Sequence, residues 1–378
     1  MFYICTFLII VYFSFMNGFL RKKENISFLV IGLSVAIITS LRYGLGTDYF
    51  GYQFTYNYIP SNFIKTLEAQ DEHFEIGFRV IMSLFKFLDY NFETFVMFIT
   101  IVIFMGYIYV IWKKSNYKIL SFLIVYSLYY EVYISSALRQ GLGMVIFFIA
   151  YYKFIENKEY KRYIVSILIG SLFHKTILIG LIIPIICKLY KKNFYNVKLN
   201  IILVFASITG LLLRADRIIY FMLKFIGSQG SVSTQSSISI YPIAIRVLMI
   251  IAIYILYKTC NESDISEFDK IQIYTYFIGV IIYISISNIS MFSRVVDILT
   301  MVEIIIIPNL ISKSKIKQVG ICIVPCYMFV LGILFIKDIN ASLYQGNYYN
   351  KELLNYPYVS VFNKSEIFNF RPIGYDID

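Results

Sequence analysis

At Leu41-Arg42-Tyr43-Gly44-Leu45-Gly46-Thr47-Asp48-Tyr49-Phe50-Gly51-Tyr52, a long apolar run gives way to polar sequence. An arginine beside a Gly-x-Gly turn is typical of an anion site. Its guanidinium binds phosphate oxygens, and the glycines let backbone N–H groups approach the ligand. We therefore predict that Arg42, Gly44 and Gly46 bind an anion. The pattern also fits a helix that ends at a glycine, where a cation complements the helix dipole.

The polar residues after the glycines fit a sugar ligand. Asp48 can orient Arg42 or accept a proton, and tyrosine rings offer flat, amphipathic faces on which sugars stack. The predicted substrate-binding residues of this segment are Tyr43, Gly44, Gly46, Thr47, Tyr49 and Tyr52.

The composition is that of a membrane protein. Of the 378 residues, 59% are hydrophobic and only 15% are charged, and the mean hydropathy is +0.70. A soluble domain is about half apolar and about a quarter charged. Here the apolar residues form runs long enough to cross a hydrocarbon core about 30 Å thick. The sequence therefore predicts an all-α, polytopic integral membrane protein.

Basic residues mark the predicted cytoplasmic loops. The net charge of +11 is carried in part by short Lys and Arg clusters between apolar runs, which is the pattern of cytoplasmic loops. The charge therefore indicates membrane orientation, and we predict no nucleic-acid partner.

The runs predict about ten spanning helices, together with a broken or re-entrant helix pair and an interfacial helix at 75–88. The spans are assigned to 2–20, 26–41, 92–112, 119–134, 137–155, 196–213, 241–257, 271–290, a short span ending at Pro308, and 319–336. Both termini are then extracytoplasmic. The membrane domain covers 1–336, with outer loops 42–91 and 214–240, and 337–378 form an extracytoplasmic polar tail.

Residues 163–187 have two interpretations. Both flanks are basic, and the middle of the run holds His174-Lys175-Thr176. Two half-length helices that fold back at His174 would explain both features, since broken helices at membrane depth occur where they line a cavity. A single span is the alternative, and it would reverse the topology of everything downstream.

Four ionisable residues stand near or inside apolar runs, where a charge is unfavourable and often functional. Arg139 opens a mid-chain helix in Leu138-Arg139-Gln140, and Arg294 lies one turn before Asp297. On the predicted topology Arg42, Arg139 and Arg294 reach one membrane face, where they could clamp a diphosphate. Alternatively, each could extend to lipid headgroups. His174 fits a general base at neutral pH or a hydrogen bond between packed helices.

No metal site or cofactor is predicted. Five cysteines lie mostly in or beside apolar runs, and Cys322 and Cys326 could share a helix face. No histidine or further cysteine follows closely enough to complete a metal-ligand set.

Four segments resemble the EpsG/Wzy-type polysaccharide polymerases, which are bacterial integral membrane enzymes. These segments are Arg-Tyr-Gly-x-Gly-Thr-Asp-Tyr from Arg42, the Leu-Arg-Gln helix start at Leu138, Leu-Phe-His-Lys-Thr at 172–176 and the late Ser293-Arg294 helix. The resemblance covers about residues 30–310. Asp297 departs from the family's pattern, in which this stretch is expected to be more aromatic.

The resemblance implies a metal-independent glycosyltransferase of the bacterial inner membrane that makes exopolysaccharide, capsule or O-antigen. Donor and acceptor would be oligosaccharides on a polyprenyl diphosphate, such as undecaprenyl diphosphate. The catalytic residues would be Arg42, Asp48, Arg139, His174 and Arg294, and Gln140 and Asp297 would join the substrate-binding set. Partners would be the lipid-linked oligosaccharide, the bilayer, and a flippase and chain-length regulator of the same pathway.

Two other functions stay open. A flippase or exporter of lipid-linked oligosaccharide would need charges along a path at the bilayer midplane and internal repeats, and no repeats are visible. An O-antigen-ligase-like transferase would use the same donor as a polymerase, so sequence does not separate those two.

Overall fold

The computed structural model describes residues 1–20, 25–68, 74–193, 197–212, 240–287, 292–315 and 317–372. Helices make up 81% of the structure, and within these ranges the chain forms two isolated β-bridges and no strand. This confirms the all-α class. The α-helices are α1 (Phe2–Leu20), α2 (Asn25–Ser40), α3 (Tyr49–Tyr58), α4 (Phe63–Glu68), α5 (Ile76–Phe87), α6 (Phe92–Lys114), α7 (Lys118–Leu128), α8 (Leu138–Ala150), α9 (Tyr160–Ser171), α10 (Ile183–Asn193), α11 (Val197–Leu212), α12 (Ile240–Thr259), α13 (Glu267–Ile286), α14 (Phe292–Thr300), α15 (Glu303–Lys313) and α16 (Lys317–Gln345).

The chain folds into two compact units. The first consists of Met1–Ile149, Leu168–Lys175 and Gln318–Asp378, and the second of Ala150–Ile167 and Thr176–Lys317. In the first unit α1 packs against α7, and α2 packs against α6. In the second unit α13 is central, because it packs against α10, α11, α12, α14 and α15.

Several helices are long and apolar enough to cross a membrane. In the described ranges there are five: Phe92–Lys114, Leu138–Ile155, Tyr241–Thr259, Arg294–Lys313 and Ile323–Gln345. A sixth is obtained if the bent pair at 118–136 counts as one span. The chain is therefore a multi-pass membrane protein by helix length and composition. The larger number of about ten spans stays a prediction, as do the domain boundaries. Residues 213–239, nearly all of the predicted outer loop 214–240, lie outside the described part.

The predicted helix at 119–134 is interrupted. It ends at Leu128 and continues as a π-helical segment, Tyr130–Ser136, which is bent by 73° from α7. Ser135 and Ser136 belong to this π-helical segment. The interruption turns the Ile134 and Ser135 carbonyl oxygens toward the Arg42 guanidinium, which compensates for the irregular backbone.

The chain reverses direction between α9 and α10. The Tyr163 hydroxyl donates to the Gly180 carbonyl oxygen at 2.9 Å, and the Tyr160 and Cys187 side chains are also hydrogen-bonded. In a straight helix, residues as far apart as 163 and 180 would be about 25 Å apart along the axis. Of the two interpretations of 163–187, the structure therefore has the broken, folded-back pair.

The short helices α3, α4 and α5 pack beside the Gly-x-Gly turn. Lys86, near the end of α5, donates to the Asn57 and Ile59 carbonyl oxygens at 2.7 and 2.8 Å, so it neutralises the C-terminal end of α3. The rings of Tyr52 on α3 and Phe78 on α5 lie 5.4 Å apart. These contacts fix α3, which follows directly from Asp48.

Candidate active site

The Gly-x-Gly turn needs both of its glycines. Gly44 has a φ of 67° and Gly46 a φ of 93°, in the left-handed region that other residues rarely adopt. A Cβ at Gly46 would clash with the Ser135 carbonyl, and one at Gly44 would lie 2.6 Å from the Ile367 side chain. The turn is therefore pressed against the π-helical segment on one side and the C-terminal tail on the other.

Arg42 is buried beneath this turn, with only 1% of its surface exposed. One guanidinium nitrogen donates to the Thr39 carbonyl oxygen and the Thr100 hydroxyl at 3.0 and 2.8 Å. The other donates to the carbonyl oxygens of Ile134 and Ser135. Arg42 thus joins α2, α6 and the π-helical segment. In this conformation Nη1 and Nη2 point at protein oxygens, and the direct contact of Arg42 with a phosphate stays a prediction.

The C-terminal tail packs against the Gly-x-Gly turn. Arg371 donates to the carbonyl oxygens of Gly44 and Gly46 at 3.1 and 2.9 Å. The tail also pairs with Arg42 through an antiparallel bridge at Ser360, and the Tyr43 N–H donates to Val359 at 2.8 Å. The carbonyl oxygens of the turn therefore face a cation, and binding of an anion by its N–H groups stays a prediction.

Arg139 lies at the start of α8 in an accessible cluster of charged and aromatic groups. Its guanidinium donates to Glu75 Oε2 at 2.6 Å and lies 4.4 Å from the centre of the Phe74 ring. Its side chain is 21% exposed, whereas Arg42 is almost fully enclosed. Of these two arginines of the first unit, Arg139 is the one that a ligand can reach.

Tyr52 connects Arg139 with Asp48. The buried Tyr52 hydroxyl accepts a hydrogen bond from Arg139. Burial and the nearby Asp48 carboxylate raise the pKa of Tyr52, and the charge of Arg139 opposes that shift. The phenol therefore stays neutral at physiological pH and keeps its proton as a hydrogen-bond donor.

The remaining residues of the turn fall into half-buried and buried groups. Asp48 is half-buried and accepts from the Thr47 hydroxyl at 2.9 Å, while the Thr47 N–H donates to Ser136 Oγ. Tyr43 is also half-buried, and its ring meets that of Tyr49 edge to face. Tyr49 itself is buried against Phe92. Asp48, Thr47 and Tyr43 are therefore better placed for a ligand than Tyr49.

His174 lies at the break between α9 and the following 3₁₀ turn, Lys175–Ile182, and is half-buried. The Lys175 N–H donates to Glu75 Oε1 at 3.2 Å, and the Gly77 N–H donates to the Leu172 carbonyl oxygen at 2.8 Å. Glu75 thus contacts both Arg139 and the residue after His174. The structure therefore brings His174 near Arg139 through this shared carboxylate. Gln140, which follows Arg139, is buried inside the unit.

Arg294 and Asp297 belong to the second unit, on α14 as predicted. Asp297 accepts from Arg246 at 3.0 Å, and the Arg246 guanidinium lies 3.7 Å from the centre of the Tyr283 ring. Asp297 therefore has Arg246 as a charge partner, and Arg246 was not among the predicted site residues. The predicted convergence of Arg294 with Arg42 and Arg139 stays a prediction.

Glu75 and Arg371 were not among the predicted site residues. Glu75 lies directly before the amphipathic helix α5, and a carboxylate at that position is common enough to carry no signal by itself. Arg371 is in a tail without apolar periodicity. The one available signal was its charge in a segment that follows the last span.

Comparison with known families matches residues 25–358 to the EpsG family. No curated protein is significantly similar to the chain, and no solved structure is either. The matched range contains the turn, the Glu75–Arg139 pair, His174 and Arg294, and it reaches into the tail that covers the turn. This chain is a member of the EpsG family.

Proposed function

We propose that this chain is a polysaccharide polymerase of the bacterial inner membrane. It would join oligosaccharide repeat units that are carried on a polyprenyl diphosphate, at the outer face of the membrane. Membership of the EpsG family and the multi-pass helical fold support the class of reaction. The substrates, the membrane face and the compartment are proposals.

The reaction is a glycosyl transfer. A hydroxyl oxygen of the acceptor sugar attacks the anomeric carbon of the donor glycan and forms the new glycosidic bond. The bond from that carbon to the diphosphate oxygen breaks, and the polyprenyl diphosphate leaves with the electron pair. The acceptor's proton goes to a base on the protein. Because a diphosphate is already a good leaving group, the reaction as proposed uses neither a nucleotide nor a metal.

The accessible pair of Arg139 and Glu75 beside Tyr52 carries this proposal. A guanidinium at a partly enclosed site neutralises charge that grows on a departing diphosphate. Tyr52 supplies a neutral hydroxyl, and Asp48 and His174 are the candidate bases. Tyr43 and Thr47 are proposed sugar contacts. Arg42, Gly44 and Gly46 would hold the Gly-x-Gly turn in place beside these residues.

The second unit offers a further cationic group. Arg246 stacks on Tyr283 and pairs with Asp297, one turn after Arg294. We propose Arg294 as a second phosphate contact, with Asp297 and Arg246 fixing the helix that carries it. This role is separate from that of Arg139: we expect single-repeat products with Arg294→Ala in the complementation test, and normal chain length would remove Arg294 from the mechanism.

The test is complementation of a strain from which the gene for this chain is deleted, with glycan length read on a gel. We expect long chains with the wild type and single-repeat products with Arg139→Ala at equal expression. Arg162→Ala is the matched control, because Arg162 is 72% exposed and pairs only with Glu159 among the ion pairs of the described residues. We expect long chains with this control.

Other outcomes would replace the proposal. Normal chain length with Arg139→Ala would remove Arg139 from the mechanism. Single repeats that accumulate on the cytoplasmic side with the deletion, and reach the outer face without lengthening when the chain is restored, would indicate a flippase.

A further inference from the structure

Glu75 uses both of its carboxylate oxygens to connect two parts of the first unit. Oε2 accepts from Arg139 Nη1 at 2.6 Å, and Oε1 accepts from the Lys175 N–H at 3.2 Å. Its side chain is 11% exposed. Arg139 begins α8, while Lys175 follows the break of the folded-back helix pair. A single carboxylate therefore contacts the accessible cation and the backbone beside His174.

The position of Glu75 is itself fixed by its neighbours. Glu75 immediately precedes α5, and the next residue but one, Gly77, donates its N–H to the Leu172 carbonyl oxygen at 2.8 Å. A Cβ at Gly77 would lie 2.8 Å from that same oxygen, so the close approach requires glycine. Phe74, on the other side of Glu75, stacks under the Arg139 guanidinium. The segment 74–77 thus holds Arg139 and residues 172–175 together.

A carboxylate on a ligand-binding guanidinium has two opposing effects. It orients the guanidinium through a charge-assisted hydrogen bond, and it lowers the attraction of that guanidinium for an anion. A diphosphate approaching Arg139 must therefore share the guanidinium with Glu75 or displace it.

We propose that Glu75 is a positioning residue that aligns Arg139 with the His174 segment at the expense of anion affinity. This inference rests on the proposed function, since it assumes that Arg139 binds the diphosphate. Glu75 then weakens binding of the diphosphate and raises the rate of transfer. If Glu75 only stabilised the fold, removing its charge would not strengthen binding of the diphosphate while it slowed transfer.

The experiment uses the full-length protein in lipid nanodiscs, with undecaprenyl diphosphate as the binding probe and a lipid-linked repeat unit as substrate. Glu75→Gln removes the charge and keeps an oxygen that accepts from the Lys175 N–H. We expect its Kd for the probe to fall about fivefold, since one nearby opposing charge is removed, and its turnover to fall at least about tenfold. Glu267→Gln is the control, because Glu267 is an exposed carboxylate that pairs with Lys158 and Lys191.

Hydrogen exchange supplies a readout that does not depend on activity. In Glu75→Ala, which lacks the acceptor oxygen, we expect the Lys175 amide to exchange faster, whereas in Glu75→Gln it exchanges as in the wild type. A double variant, Glu75→Arg with Arg139→Glu, would restore the ion pair with reversed charges. We expect this double variant to melt at a higher temperature than either single variant, but not to recover binding of the probe.

The two proposals fail in different ways. If the wild type binds the probe and lengthens glycans, but Glu75→Gln binds more weakly or turns over normally, the role of Glu75 is overturned and the polymerase proposal stands. If the wild type neither binds the probe nor lengthens glycans, the proposed function fails and the role of Glu75 fails with it.

Discussion

Arg371 Nη1 donates to the Gly46 carbonyl oxygen at 2.9 Å, across 325 residues of sequence. The same nitrogen donates to Gly44, and the guanidinium stacks between the rings of Phe50 and Tyr348 at about 5 Å from each. The C-terminal tail is therefore part of the structure that holds the Gly-x-Gly turn.

Removing the Arg371 guanidinium should loosen the turn. We expect Arg371→Ala to lower the free energy of unfolding by about 3 kcal/mol, because two buried carbonyl oxygens lose a charged donor. Glycan polymerisation should fall with it. Thermal unfolding of the purified protein measures the first effect, and Lys351→Ala, an exposed tail residue, is the control. Equal melting temperatures for both variants would mean that the tail does not stabilise the turn.

Arg42 and Arg139 should respond differently to substitution by lysine. Lysine cannot reproduce the planar fork that spans four acceptors around Arg42, so Arg42→Lys should lower the melting temperature by several degrees. Arg139→Lys should leave the melting temperature nearly unchanged and reduce the rate of transfer. Thermal unfolding measures the melting temperature of both variants, and an in vitro polymerisation assay measures their rate of transfer. If Arg42→Lys instead keeps the wild-type melting temperature but does not transfer, Arg42 contacts the diphosphate directly.

Gly46 and Gly51 form a matched pair within one segment. Gly46→Ala places a methyl group against the Ser135 backbone at a φ of 93°, so the turn must move. We expect a loss of stability of about 2–3 kcal/mol and a loss of activity. At Gly51 an added Cβ has no neighbour within 4 Å, and alanine is the better helix former by up to about 1 kcal/mol. Gly51→Ala should therefore be neutral or stabilising. If Gly51→Ala were less stable than Gly46→Ala, the packing described here would be wrong.

Substitution of the two candidate bases should identify which one acts. A general base accepts the proton of the attacking hydroxyl, so its removal should lower the rate of transfer and leave the Kd for undecaprenyl diphosphate nearly unchanged. We expect this result for His174→Ala, measured as turnover of the lipid-linked repeat unit and as probe binding. If His174→Ala transfers at the wild-type rate and Asp48→Asn abolishes transfer, Asp48 is the base.

The fold class and part of the site could be predicted from the sequence, because these features depend on residues that are close together in the chain. Apolar runs predicted the helices, and the Leu138-Arg139-Gln140 start placed Arg139 correctly at the beginning of α8. Glycines at 44 and 46 permit the positive φ that the turn has there. The break at His174 was predicted as one of two alternatives, from polar residues in the middle of an apolar run.

The rest depended on contacts between distant residues. Arg42 was recognised as unusual, but the carbonyl oxygens that satisfy it come from a π-helical segment about 90 residues later, whose irregular backbone the residue pattern did not reveal. Glu75 and Arg371 have partners 64 and more than 300 residues away. Such pairs leave no periodic signal in one sequence.

The most direct test of the account is reconstitution of the purified chain in proteoliposomes with a defined lipid-linked repeat unit. We predict glycans that lengthen with time, release of one polyprenyl diphosphate for each bond formed, and loss of both in Arg139→Ala but not in Arg162→Ala. Lipid-linked repeats that cross the bilayer without lengthening, or lengthening that persists in Arg139→Ala, would contradict it.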